Sequence, residues 1–171
     1  MLAAPGNRRQ EVATRQIQVQ RFTVVCSKSF EDVVAQMDAA IAHPDMKGLL
    51  TARTYSDLEK AIRDQVGPSG LMEFARFDLG AILRLERGAE GPKILRLVVG
   101  NPLIMKRMVE HVPDAGSYAP VTILIDGRED GVHVSYDRMA SLLASYGNAV
   151  ASAVAQDLDT KVESLITAAA T

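Results

Sequence analysis

The chain has 171 residues, of which 19 are Lys or Arg and 21 are Asp or Glu, so its formal net charge is −2 at pH 7. With 47% hydrophobic and 23% charged residues, its composition is that of a globular protein and excludes wholesale disorder or a collagen-like repeat. The near-neutral charge argues against a nucleic-acid-binding protein, and the single cysteine, Cys26, excludes an intramolecular disulfide and a multi-cysteine zinc site.

The N-terminal segment is polar and lacks the apolar stretch of a secretory signal. We therefore expect residues 1–15 to form a mobile arm and residues 16–168 to form a single domain. The longest uncharged stretch, residues 139–156, contains mostly alanine and small polar residues, which is untypical of a membrane span. Without an export signal and with one thiol, the sequence predicts a cytoplasmic protein that does not associate with membranes.

The first predicted elements are a strand and a helix. Residues 17–25 are rich in β-branched side chains, which favour a strand. Ser29 and Asp32 then have the spacing of a capping box, so we expect a helix to begin there. Pro44 ends this helix.

A second helix and a hairpin follow. Ser56 with Glu59 has the spacing of another capping box and predicts the start of the second helix. Residues 71–85 and 94–99 are both strand-like, and the charged, glycine-containing stretch between them predicts an antiparallel hairpin. The first strand contains Gly80, where we expect a bulge or a bend.

The second half predicts a helix, a hairpin and a long terminal helix. Asn101 and Pro102 are typical of an N-cap and a first helical residue. Residues 121–126 and 132–136 predict a second hairpin, and Asp137 is suited to cap the last helix. A break is expected at Gly147-Asn148. An apolar row runs along the last helix: Val150, Val154, Leu158, Val162 and Ile166.

The order of these elements is strand, helix, helix, hairpin, helix, hairpin, helix. Hairpins that alternate with helices favour an antiparallel sheet with helices on one face, rather than a parallel sheet. We therefore predict an α+β domain with a sheet of about five strands and a long C-terminal helix.

Few residues have a spacing that indicates chemistry. Phosphate-binding glycine motifs are absent, and His43, His111 and His133 lack metal-ligand spacing, so no cofactor and no metal site are predicted. Cys26 precedes Lys28 and a helix start, which would lower a thiol pKa. We favour a packed cysteine over a reactive one, because no histidine is adjacent in sequence.

The most specific local motif is Gly100-Asn101-Pro102. Backbone donors at a helix start bind anions or carbonyl groups. A purely structural explanation is also available, in which Gly100 permits a tight turn and Asn101 only caps the helix. For Met105 and Met108 in the same helix, we favour core filling over the lining of a soft pocket.

The motifs of the second half together resemble a known family, the bacterial and archaeal domain-of-unknown-function 302 family, over about residues 92–146. They occur in the family's order: strand-Gly-Asn-Pro-helix over residues 94–112, Pro113, Pro120 before a hairpin strand, and the Gly131–Asp137 strand.

The resemblance implies a curved antiparallel sheet with packed helices, similar to the TATA-binding-protein-like arrangement, and often a dimer. It implies no established activity and no DNA binding. Asn101 and Pro102 match the family motif residue by residue, with Gly100 beside them. The chain departs from the family pattern at the Ser56 helix and at the long strand-like segment 71–85.

Three hypotheses follow. We favour a non-enzymatic module, a homodimer, that binds a small molecule or a protein near Gly100, Asn101 and Pro102. A carrier of hydrophobic ligands with a helix-grip arrangement is an alternative, although the chain has few aromatic residues. The third is a small enzyme that uses Cys26 or His133, with Tyr136 as a proton donor.

Overall fold

The computed structural model describes residues 12–49, 51–88 and 91–171. Its strands are β1 (Arg21–Cys26), β2 (Met72–Asp78), β3 (Ile94–Gly100), β4 (Val121–Arg128) and β5 (Gly131–Asp137). They form one antiparallel sheet in the order β1-β5-β4-β3-β2. The helices are α1 (Phe30–Ala40), α2 (Met46–Leu49), α3 (Tyr55–Gln65), α4 (Leu79–Arg87), α5 (Pro102–Val109), α6 (Met139–Leu143) and α7 (Ala149–Ala170). The predicted α+β class, the five-stranded antiparallel sheet and the long C-terminal helix are confirmed.

The core lies between one face of the sheet and the helices. Leu95, Leu97 and Val99 alternate along β3 and point into it, whereas Arg96 between them is exposed on the other face. Helices α1, α5, α6 and α7 contribute to the same buried cluster. The predicted row along α7 is buried from Val154 onward, and only its first member, Val150, is exposed. Side chains therefore fill the space between α7 and the sheet.

The prediction of one long strand over residues 71–85 is wrong. Strand β2 ends at Asp78, whose carboxylate accepts the Ala81 N–H at 2.9 Å and so caps α4. Gly80 is a buried residue of this helix. The position requires glycine, because a Cβ there would lie 2.3 Å from the Pro92 carbonyl oxygen. The irregularity in β2 falls between Glu73 and Ala75 instead. Strands β2 and β3 are antiparallel neighbours as predicted, but their connection contains α4.

Helix α3 begins two residues earlier than predicted. Thr54, not Ser56, is its N-cap, and the Thr54 hydroxyl accepts the Asp57 N–H at 3.1 Å. Thr54-x-x-Asp57 and Ser56-x-x-Glu59 share the capping pattern, so local sequence does not distinguish them.

Replacement of Thr54 by alanine is expected to lower the free energy of unfolding by about 1 kcal/mol, because the Asp57 N–H loses its acceptor. Urea denaturation of the two variants Thr54→Ala and Ser56→Ala provides the measurement. Ser56→Ala is the matched control and should change stability by less than about 0.5 kcal/mol. A larger loss for Ser56→Ala than for Thr54→Ala would contradict this assignment of the cap.

The starts of the last three helices differ in how they are capped. Asn101 caps α5 as predicted, and a break occurs at Gly147, which has a φ of 66°, as expected. Asn148 caps the separate helix α7 that begins after this break, a cap that the sequence analysis did not predict. Asp137 does not cap α6, because its carboxylate binds the Arg21 guanidinium at 2.7 and 2.9 Å. The acceptor at the start of α6 comes from another helix, α7, and is described below.

Residues 1–11 of the predicted arm 1–15 lie outside the described residues. Within its described part, Arg15 donates to the Ser145 carbonyl oxygen at 2.8 Å and lies 4.2 Å from the centre of the Tyr146 ring. Of the helices in the described ranges, none is both long enough and apolar enough to cross a membrane.

Candidate functional site

The junction of β3 and α5 contains the three residues predicted as a binding site. Gly100 ends β3, Asn101 is the N-cap of α5, and Pro102 is its first residue. The Asn101 Oδ1 accepts the Leu103 N–H at 2.9 Å, and its Nδ2 donates to the Gly70 carbonyl oxygen at 2.9 Å. The side chain of Asn101 is thus bonded to two segments of its own chain.

The backbone donors of this helix start are also bonded within the chain. Pro102 has no N–H, and the N–H groups of Ile104 and Met105 both donate to the Asn101 carbonyl oxygen, at 3.1 and 3.0 Å. The geometry therefore favours capping at Asn101 over the binding of an anion by the helix start.

A small apolar cavity of about 90 Å³ lies against these same residues, and we call it the Gly100 cavity. Apart from Asn101, its lining contains only glycine and apolar residues. Met105 and Met108, for which core filling was favoured, both line it. The full lining is Phe74, Gly100, Asn101, Pro102, Met105, Met108, Ala119, Pro120, Val121 and Leu158. The cavity is much smaller than the roughly 300–1,000 Å³ of a site for a drug-sized ligand, so it suits a group of a few carbon atoms.

Gly100 keeps two walls of this cavity close together. A Cβ at this position would lie 3.2 Å from the Pro120 Cβ and 3.4 Å from the Phe74 Cε2. These distances are tight for carbon atoms, so a side chain here would push the walls apart or fill the cavity. The glycine of the motif is explained by this close approach of Phe74 and Pro120.

Cys26 and His133, the residues of the enzyme hypothesis, lie on opposite faces of the sheet. Cys26 pairs with Val132 and packs against the core. His133 pairs with Val25, which is 49% exposed on the other face. Because residues in register point to the same face, the two side chains point away from each other. The geometry does not support a Cys-His pair.

The remaining polar groups of that hypothesis have partners in the chain. The His133 Nε2 lies 2.9 Å from the Asp130 Oδ1, and this contact lowers the pKa of Asp130. Tyr136 lies on the core face, away from His133, and its hydroxyl donates to the Asp159 carboxylate at 2.6 Å. Burial, reinforced by the Asp159 carboxylate, raises the pKa of Tyr136, so its proton is held firmly.

Asp159 is a buried carboxylate that sequence reasoning missed. Besides the Tyr136 hydroxyl, it accepts the N–H groups of Met139 and Ala140, at 2.7 and 3.1 Å. It thereby caps α6 from α7, while burial raises the pKa of its carboxyl. The available signal was the spacing of Ala151, Ala155 and Asp159, which recur every four residues and so lie on one side of the helix. The two alanines mark this side as buried, and Asp159 is the charged residue that falls on it.

A group of potential metal ligands lies where α1 meets β2. Ligand atoms of Asp38, His43 and Glu73 lie within 4.8 Å of one another. Arg76 already occupies both carboxylates: its guanidinium bonds Asp38 and donates to Glu73 at 2.8 Å. Glu73 and Asp38 in turn raise the pKa of Arg76. The arrangement is an ion-pair network that fixes the edge of the sheet to α1.

A wider groove of about 420 Å³ lies on the face of the sheet opposite the core. Its charged residues include Arg21 and Asp137, which are 65% and 38% exposed in their side chains and bind each other. An exposed ion pair of this kind is solvated and offers no enclosed polar surface for a ligand. The Gly100 cavity is the better candidate.

Comparison with known proteins relates the chain to one family. The sequence model of the domain of unknown function DUF302 matches residues 49–169. A crystal structure of an uncharacterized conserved DUF302 protein from Bacillus stearothermophilus has a similar fold, with a TM-score of 0.62. The two chains are 11% identical, and the similarity covers 87% of this chain and 97% of that one. No curated protein matches the chain.

Proposed function

The chain belongs to the DUF302 family, and we propose that it is a non-enzymatic module that binds a small apolar group in the Gly100 cavity. The observation that supports this proposal is the placement of Asn101 and Pro102, which resemble the family motif, and of the adjacent Gly100 along the wall of an apolar cavity. Function therefore resides in the shape of this cavity and not in a reactive side chain.

The chemistry of the lining defines the ligand class. Met105, Met108 and Phe74 present polarizable apolar surface, and thioether side chains adapt to ligands of different shape. The polar atoms of Asn101 are bonded to Leu103 and Gly70, so they are not free to replace the water shell of a charged ligand. A short aliphatic or small aromatic group is the ligand that loses the least hydration free energy on entering the cavity.

Xenon, a polarizable probe that enters small apolar cavities, tests this proposal. In protein labelled with ¹³C at the methionine methyl groups, we expect xenon to shift the signals of Met105 and Met108 in a saturable manner. Met37, a residue of α1 that is buried in the core and does not line the cavity, should not shift. Saturable shifts at Met37 and none at Met105 and Met108 would refute the cavity as a site.

Gly100→Ala supplies the matching variant, because its methyl group enters the space between Phe74 and Pro120. We expect it to weaken xenon binding roughly fivefold, the effect of losing about one methylene of contact. Gly116→Ala is the control, since a Cβ there meets only Val109 Cγ2, at 3.9 Å. Native mass spectrometry of freshly purified protein then tests for a retained ligand. The fraction of the protein that carries this added mass should fall in Gly100→Ala and not in Gly116→Ala.

A further inference from the structure

We propose that the free edge of β1 binds an extended, acidic segment of a different protein as an added strand of the sheet. Strand β1 is at one end of the sheet and pairs with β5 alone. The unpaired N–H and C=O groups of an edge strand are a template for another strand. The inference does not depend on the Gly100 cavity.

The register of β1 determines which of its backbone groups point outward. The Gln20 carbonyl oxygen accepts the Arg138 N–H at 2.9 Å, so this pair is hydrogen-bonded at the start of the ladder. Hydrogen-bonded pairs alternate along an antiparallel ladder, so the next such pair is Phe22 with Tyr136. Every second residue of β1, starting with Phe22, therefore bonds to β5. The residues whose N–H and C=O groups point outward are Arg21, Thr23 and Val25.

These outward groups are accessible. All three residues are exposed, and no residue of the described ranges bonds to their outward backbone groups. Strand β1 contains no bulge and no proline, and its one charged residue, Arg21, bonds Asp137 on the face of the sheet opposite the core. Edge strands that are protected from pairing usually have such a feature or a covering segment. The edge of β1 is therefore available to another extended backbone.

The edge at the other end of the sheet, that of β2, is occupied at its start. Ala42 forms a parallel bridge with Met72, and its carbonyl oxygen accepts the Glu73 N–H at 2.8 Å. The strand is also irregular between Glu73 and Ala75. Such an irregularity interrupts the row of donors and acceptors that an added strand needs. Of these two edges, that of β1 is the continuous one.

A groove of about 500 Å³ lies beside the edge of β1, between this strand and α7. An added strand gains affinity from its backbone bonds and specificity from the alternate side chains that enter such a groove. The α7 side has mainly small hydroxyl and methyl groups, and its one carboxylate, that of Glu163, is bonded to Arg138 at 2.7 Å. Valine and threonine side chains fit this surface better than long ones. The lining is Phe22, Thr160, Glu163, Ser164, Thr167 and Ala168.

Lys28 determines the charge of the bound segment. Its Nζ lies 3.5 Å from the Ala169 carbonyl oxygen, where β1 and α7 both end. Among the described residues, no carboxylate lies within 4 Å of this ammonium group. The pairings in the sheet are antiparallel, and a segment added in the same way begins at this end. We therefore expect Asp or Glu at the N-terminal end of the segment.

A second copy of this chain does not supply the complementary charge. In an antiparallel pair of two β1 strands, the residues opposite Lys28 come from the segment before β1. Residues 12–20 contain no Asp and no Glu. The charge at this end therefore favours a segment of a different protein.

The probe is an acetylated and amidated peptide of one glutamate followed by alternating valine and threonine residues. In ¹⁵N-labelled protein, we expect the peptide to slow hydrogen exchange at the three outward amides by about tenfold, in a saturable manner. The three intervening amides of β1 are the internal control, because they already bond to β5. The same peptide with N-methyl groups on two adjacent central residues lacks a donor on each edge and should not bind.

Thr23→Pro is the variant that tests the edge itself. Proline removes one outward donor and leaves the β1–β5 bonds intact, since it is tolerated where the N–H of an edge strand faces solvent. We expect it to weaken peptide binding by about tenfold. Thr23→Ala is the matched control, because it keeps the N–H and should bind like the wild type. Circular dichroism verifies that both variants fold, and the N-methylated peptide tests the wild-type chain independently of them.

Lys28→Gln tests the charge of the segment. It should weaken binding of the glutamate peptide by about threefold and leave unchanged the binding of a peptide with glutamine in place of glutamate. Absence of saturable protection at the outward amides, or equal binding of the N-methylated peptide, would overturn the proposal. Protection of the same amides by higher protein concentration, without peptide, would assign the edge to a second copy and would also overturn it.

Discussion

Replacement of Asp159 by alanine is expected to lower the free energy of unfolding by about 3 kcal/mol, because three donors lose a common acceptor. The donors are the Tyr136 hydroxyl at 2.6 Å and the N–H groups of Met139 and Ala140 at 2.7 and 3.1 Å. Met139 and Tyr136 are buried, so water cannot replace the carboxylate there. Urea denaturation at neutral pH measures the loss.

Asp157→Ala is the control for this experiment. Asp157 is on the same helix, two residues earlier, and is exposed. Its replacement should change the stability by no more than about 0.5 kcal/mol. Equal effects of the two substitutions would mean that the bonds of Asp159 contribute nothing specific to stability.

The pH dependence of the Asp159 effect has a defined sign. Burial raises the pKa of Asp159 in the folded protein, so folding favours the protonated carboxyl. The contribution of this ionisation is fully present below the unfolded pKa and is lost as the pH rises through the folded pKa. The stability difference between the wild type and Asp159→Asn should therefore decrease as the pH rises from about 4 and then level off. A difference that increases over this range would contradict the assignment.

Replacement of Gly131 by alanine should cost about 3 kcal/mol, because two independent penalties coincide at this position. Gly131 has a φ of 135°, which side-chain-bearing residues rarely adopt. A Cβ there would also lie 2.5 Å from the Cys26 carbonyl oxygen on the neighbouring strand. Gly131 pairs with Arg128 across the turn of the β4–β5 hairpin, so the clash falls where β1, β4 and β5 meet.

Gly147→Ala separates the two penalties. Gly147 has a φ of 66°, but a Cβ there would meet nothing within 4 Å. We expect a loss of about 1 kcal/mol from the backbone alone. In thermal and urea denaturation, the Gly131→Ala variant should be much less stable than the Gly147→Ala variant. The reverse order of stability would show that the contact with Cys26 is easily relieved.

Local signals predicted the starts of α1 and α5, because a cap involves residues only two or three positions apart. Ser29 accepts the Asp32 N–H at 3.1 Å, and the Asn101 Oδ1 accepts the Leu103 N–H at 2.9 Å. The prediction placed the α3 cap at Ser56 instead of Thr54, because both residues begin a pattern that satisfies the capping rule.

Helix α4 was missed for a different reason. Residues 79–85 contain leucine, isoleucine and alanine without the polar side that marks a surface helix, so they resembled a continuation of β2. Helical structure there depends on Asp78 as cap and on the fit of Gly80 against Pro92, a contact between segments that propensity does not encode.

For the candidate site, the three residues singled out in the sequence do adjoin a cavity, but their polar groups are not free to bind a ligand. Gly100, Asn101 and Pro102 line a cavity, but the polar capacity expected there is used in bonds to Gly70 and to the first turn of α5. Cys26 and His133 do not form a pair, because Cys26 is in register with Val132 and not with His133. A difference of one residue in register places the two side chains on opposite faces of the sheet. Such information exists only once strands are paired.

The position of β1 at the edge of the sheet has a consequence during synthesis. This first strand pairs with β5 alone, and Arg21 contacts Asp137, 116 residues later in the chain. At a translation rate of about 5–20 residues per second, β1 leaves the ribosome roughly 6–23 s before its partner strand does. The β3–β4–β5 meander can assemble as it emerges, whereas β1, the first of these five strands to be synthesised, can pair only after β5 has emerged.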